Sequence, residues 1–109
     1  MTLPGDLNTV TVTGEFLDAA GTPQAGTVTF TPSAEVTDAT GMVVIPPVPR
    51  TYVLLKGLLS AGPLAATDNA DLSPAWTYEI CVSLADAPEF SFSCAIPHTP
   101  SPVDLSALL

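Results

Sequence analysis

Two runs of strict alternation, Trp76 to Leu84 and Phe90 to Ile96, constrain this chain more than any other feature of it. In the first, Trp76, Tyr78, Ile80, Val82 and Leu84 share one face, while Thr77, Glu79, Cys81 and Ser83 share the other. In the second, Phe90, Phe92, Cys94 and Ile96 lie opposite Ser91, Ser93 and Ala95. A period of two belongs to a strand with one buried face, because successive side chains of a strand point to opposite sides. The short segment Ala85–Glu89 then makes a hairpin of the stretch from Ala75 to Ile96. Its expected register pairs Leu84 with Phe90, Val82 with Phe92, Ile80 with Cys94 and Tyr78 with Ile96. A slip of one residue would set the apolar face against serines, so burial forbids it. This hairpin is expected at the centre of the core.

The same logic reads the rest of the chain. Asn8 to Leu17 alternates Val10, Val12, Gly14 and Phe16 against Thr9, Thr11, Thr13 and Glu15. Turn-forming residues follow from Asp18 to Pro23, and Gly26 to Thr31 brings Val28 and Phe30 to one face. These two strands are expected to form a hairpin or a neighbouring pair. Pro32 to Gly41 reads as a loop with a short edge pairing at Val36. Met42 to Ile45 is a brief apolar run that ends at Pro46-Pro47, which places it at a sheet edge or a crossover because proline cannot donate to a ladder. Thr51 to Lys56 and Gly57 to Ala66 are further strands, the second interrupted by Gly62-Pro63. Thr67 to Pro74 is a polar loop. Pro97 to Leu109 contains three prolines and reads as an extended tail. About seven short strands, with turns every ten residues or so, indicate an antiparallel β-sandwich forming a single domain over residues 1–109. The core expected from this pattern is Val10, Val12, Phe16, Val28, Phe30, Trp76, Tyr78, Ile80, Val82, Phe90, Phe92 and Ile96.

Charge narrows the choice of partners. Eleven acidic residues stand against two basic ones, Arg50 and Lys56, for a formal net charge of −9. Such a surface repels phosphate backbones and anionic lipid, so neither nucleic acid nor membrane is expected as a partner. No basic segment followed by an apolar core opens the chain, so synthesis and folding in the cytoplasm are expected, with thiols reduced. Cys81 and Cys94 fall on opposite faces of their strands and are expected to remain unlinked.

No catalytic constellation is legible. His98 is the single histidine and sits among the prolines of the tail, where it is expected to be exposed and idle. Ser60 and Ser73 occupy no nucleophile-elbow context. Cys81 has an acidic neighbour two residues away and no basic one, an arrangement that raises a thiol pKa. Asp68, Asn69 and Asp71 carry oxygens, but their spacing does not match a calcium loop, and Asx-type turns account for them. Trp76 and Tyr78 could line a sugar platform, yet they alternate on the core-facing side. The expectation is therefore no catalytic residue, no cofactor and no metal.

Taken together and in order, four segments resemble a known module. They are Thr9-Val10-Thr11-Val12-Thr13-Gly14-Glu15-Phe16-Leu17-Asp18; Gly26-Thr27-Val28-Thr29-Phe30-Thr31-Pro32-Ser33; Ala66 to Pro74 with Trp76-Thr77-Tyr78-Glu79; and Ile96-Pro97-His98 leading to Val103-Asp104-Leu105. They are similar to a β-sandwich module of minor tail and other virion proteins of tailed phages that infect actinobacteria. The resemblance implies a prealbumin-like or immunoglobulin-like sandwich, located in the virion, that works by binding other virion subunits of head or tail. Self-association is left open. A host-surface adhesin binding a glycan is the rival reading, and it requires Trp76, Tyr78 or Tyr52 to be exposed around a groove. The tail is the expected docking element: Val103, Leu105, Leu108 and Leu109 have no obvious place in the core, and Asp104 could meet a cationic groove. Folding back of the tail as a final edge strand is the alternative.

Overall fold

The computed structural model describes residues 8–38, 44–68, 72–85, 87–98 and 101–108. It is all-β, as the alternation requires, but with ten short strands in place of about seven. Three of them, β10 (Val103–Asp104), β1 (Thr9–Glu15) and β6 (Leu58–Ala65), form one sheet in that order. Four others, β5 (Arg50–Val53), β2 (Gly26–Pro32), β8 (Tyr78–Leu84) and β9 (Phe90–Cys94), form a second. A small third sheet consists of β4 (Val44–Ile45), β3 (Val36–Asp38) and β7 (Leu72–Ser73). Apart from the parallel pair β1–β10, the ladders are antiparallel.

The core lies between the inner faces of the two larger sheets. Val10 and Val12 of β1 and Leu59, Ala61 and Leu64 of β6 come from one side. Val28 and Phe30 of β2 and Tyr78, Ile80 and Val82 of β8 come from the other. Phe30 is edge-on to both Tyr52 and Tyr78, with ring centroids 5.8 and 6.3 Å apart, so one aromatic cluster ties β2, β5 and β8 together. Of the twelve expected core residues, nine are buried. Phe16 and Phe92 are half-buried, and Phe90 is 43 % exposed.

Four topological expectations are corrected. First, β1 and β2 do not pair. β1 gives its two edges to β6 and β10, and β2 gives its own to β5 and β8, so the pair falls in different sheets. The connection between them turns the corner of the sandwich, with Asp18 Oδ1 accepting from the backbone N–H groups of Ala20 and Thr22, each at 2.9 Å.

Second, the β8–β9 register differs by two residues from the one expected. Val82 faces Phe90, Ile80 faces Phe92 and Tyr78 faces Cys94. A shift of two preserves the faces, so alternation cannot detect it. Leu84 pairs instead with Gly26 of β2. Gly26 allows the close approach, since a side chain there would collide with the Ser83 carbonyl oxygen.

Third, Val36 does not lie on an edge. β3 is the middle strand of the small sheet, and Val36 is fully buried.

Fourth, the C-terminal segment belongs to the domain. Val103 and Asp104 pair in parallel with Val12 and Thr13. Leu105 is buried, and Val103 and Leu108 pack against the core half-buried. The chain then closes in a 3-10 turn over Leu105–Ala107. Leu105 packs there against Gly14 of β1: a Cβ on that glycine would stand 3.4 Å from the Leu105 Cβ, an ordinary van der Waals contact.

Candidate partner-binding surface

The residues that sequence reasoning favoured for docking are largely used by the fold. Asp104 caps the 3-10 turn, its Oδ1 accepting from the Ser106 N–H at 2.9 Å and from the Ser106 hydroxyl at 2.7 Å. These two donors hold the Asp104 carboxyl below its ordinary range, the hydroxyl contributing most and the N–H next. Val103, Leu105 and Leu108 face the core. Leu109 lies outside the described residues.

His98 is exposed but not idle. Its Nδ1 stands 2.7 Å from the carbonyl oxygen of Thr9, which can only accept, so Nδ1 carries the proton. The His98 backbone N–H donates to Asp68 Oδ1 at 3.0 Å, and Thr67 exchanges backbone and side-chain hydrogen bonds with Ile96. These contacts fasten the segment leaving β9 to the end of β6. Asn69 and Asp71 lie outside the described residues. Among the described residues, no three His, Cys, Asp or Glu side chains gather as metal ligands.

The aromatics that a glycan platform would need are inside. Trp76 and Tyr78 are buried, with rings 4.8 Å apart, and the Tyr78 hydroxyl donates to the Ala65 carbonyl at 2.7 Å. Burial raises the Tyr78 phenol well above its ordinary pKa, and Tyr52 adds to the shift. Tyr52 is half-buried against Phe30. Cys81 and Cys94 are free thiols, as expected. Desolvation raises both, and Glu89 and then Glu79 push Cys81 further.

What the outside does present is an aliphatic end. β5 and β6 are joined by a two-residue turn in which the backbone groups of Leu55 and Leu58 exchange hydrogen bonds of 3.0 and 2.9 Å. Lys56 and Gly57 have φ of 52° and 78°, the positive pair that a tight primed turn needs. The Gly57 carbonyl accepts from Phe16 N–H at 2.7 Å, which brings the start of the β1–β2 corner against this turn. Leu17, Val53, Leu55 and Leu58 are thereby carried to one end of the sandwich, at 46 %, 66 %, 73 % and 53 % exposure, around the exposed Lys56. The turn itself is legible in the sequence as Lys-Gly between apolar pairs. The exposure of its leucines is not, because a strand end carries the same residues whether or not a second sheet covers them.

No protein-family model matches this chain, and the search of curated proteins found no significant match.

Proposed function

We propose that this protein is a structural component of a tailed bacteriophage virion, a minor tail component or a head decoration protein, that acts through assembly contacts with other virion subunits. The observation that carries this reading is where the large apolar side chains lie. Trp76 and Tyr78 are sunk in the core, and four exposed aliphatics gather at the β5–β6 turn. A clustered exposed apolar patch is the usual mark of a protein–protein contact. The all-β sandwich is compatible with the module that the sequence resembles. The glycan-binding alternative loses its main support, since Trp76 and Tyr78 offer no stacking surface.

Particle association tests the proposal. Purified virions of a phage encoding this chain should contain it in a fixed ratio to a head or tail subunit, read by quantitative mass spectrometry. Replacing Leu55 and Leu58 by serine should remove it from particles while leaving its melting temperature nearly unchanged. Its absence from particles carrying the unaltered gene would overturn the reading.

A further inference from the structure

The sandwich has six strands with only one pairing partner among the described residues: β10, β6, β5, β9, β4 and β7. Free edges invite pairing with another chain, and folded proteins block them with charge, proline, irregularity or shortness. Five of these six are blocked in one of those ways. β10, β4 and β7 are each two residues long, and Pro46 and Pro74 follow directly on β4 and β7. β6 contains Pro63 and faces a register shift in β1 between Val10 and Val12. β5 is four residues and begins with Arg50.

β9 has none of these devices. It is Phe-Ser-Phe-Ser-Cys, five residues without charge, proline or glycine, in a chain of net charge −9. Its ladder to β8 is unbroken from Phe90 to Cys94. It also leaves apolar surface in water: Phe90 is 43 % exposed and its ring stacks on half-buried Phe92, with centroids 6.4 Å apart and planes 16° from parallel.

We infer that the free edge of β9 is a self-association site, where two copies of this chain pair their β9 strands antiparallel about a twofold axis through Phe92. The occupant follows from complementarity. In that register Phe92 faces its own copy, Phe90 faces the partner's Cys94, and Ser91 faces the partner's Ser93. Apolar side chains thus stay on the core side and hydroxyls on the outer side. Elsewhere two copies at −9 repel one another, so a second copy is best admitted along an uncharged edge. The Glu89 residues of the two copies fall at opposite ends of the ladder, six residues or about 20 Å apart at the rise of an extended strand. That exceeds the Debye length of about 8 Å in physiological salt. Two sheets of four strands become one of eight. The twofold closes the assembly, because each β9 edge is consumed and the other edges are blocked. A ladder of five residues is small for an interface, so the dimer is reversible and its population rises with concentration.

This inference stands apart from the virion proposal, since it concerns the isolated protein. Sedimentation velocity over about 1 µM to 1 mM protein, a range that spans weak to moderate affinities, should show a shift from 11.2 kDa toward twice that mass. The shift should move to lower protein concentration when salt is raised, as repulsion between the copies is screened. A variant with Ser91→Glu and Ser93→Glu puts like charges directly opposite each other twice and should remain monomeric throughout. So should the variant with Ser91→Lys and Ser93→Lys. Mixing the two should restore a dimer. A wild-type chain that stays monomeric at the highest concentration, an oligomer larger than two, or a charged double variant that still dimerises alone would each overturn the inference. The wild-type measurement decides the matter even if a variant fails to fold.

Discussion

The two edges of the sandwich are closed in opposite ways. On one, β5 passes into β6 through Lys56-Gly57, so the edges of the two large sheets are stitched by a covalent turn of two residues. On the other, β9 and β10 are separated by the stretch from Ala95 to Pro102, and closure rests on packing. Leu105 is buried against β1, and His98 and Thr67 hold the crossing segment. The difference is instructive. A two-residue turn fixes register by its own geometry. A seven-residue connection such as Ser83–Glu89 leaves register to whatever the rest of the molecule buries. The β8–β9 hairpin departs from the register its sequence leads one to expect by a two-residue step that keeps every side chain on its face.

The sharpest way to break this contrast is to remove the packing that closes the second edge. Ending the chain after Pro102 deletes β10 and the buried Leu105. It should lower stability by about 3 to 5 kcal/mol or more, as large core truncations do, read as a fall in the urea midpoint. An unchanged midpoint would mean that the edge is closed without the C-terminal segment.

The next comparison sets a central strand against the edge strand. Ile80→Ala, at a fully buried position on β8, should cost about 2 to 5 kcal/mol. Phe92→Ala removes a larger side chain, but a half-buried one on β9, and should cost less than Ile80→Ala. Equal losses would place β9 as deep in the core as β8.

The turns themselves can then be ranked. Gly57→Ala forces a side chain onto a residue at φ 78°, with its Cβ 2.7 Å from the Phe16 carbonyl oxygen. It should cost about 1 to 3 kcal/mol, the range for a strained backbone position. Inserting two glycines after Pro88 lengthens an already long connection and should cost less than about 1 kcal/mol, because loop entropy grows slowly with length. The reverse ranking in equilibrium denaturation would show that the β8–β9 loop sets register after all.

The smallest effect concerns the Asp104 cap. Its carboxyl is depressed in the folded chain, so the cap's contribution is present above the ordinary carboxylate pKa and is lost as pH falls through the lower folded value. The midpoint difference between wild type and Asp104→Ala should be steady near neutrality, begin to shrink near the usual aspartate value of about 4, and vanish only below the lower folded value. A difference that persists at low pH would mean that the cap holds without its charge.

Much of the fold can be read from side-chain periodicity. The alternations around Val10, Val28 and Ile80 announce strands and the face each buries, because these are local properties of an extended backbone. The free thiols follow from the same parity. The Asp18 corner announces itself through residues that favour turns, whereas Lys56 and Gly57, read as the end of one strand and the start of the next, are themselves the turn. The surface was far less legible. The exposed leucines at 17, 55 and 58 look in sequence like the buried ones at 59 and 64, since only the covering sheet tells them apart. The tail misled for a related reason. Its three prolines suggest an extended arm, and nothing near it in sequence shows that Leu105 packs against Gly14, some ninety residues earlier.

By itself, then, the sequence determined that this chain is all-β, which residues point inward, and where it turns sharply. Tertiary structure alone decided which strands are neighbours, how β9 slides against β8, and that the C-terminal segment is part of the domain. The physical reason is that alternation repeats every two residues and is blind to any even shift or exchange of partners. The contacts that break this degeneracy, Gly26 against Ser83 and Leu105 against Gly14, join residues far apart along the chain, so no local pattern announces them.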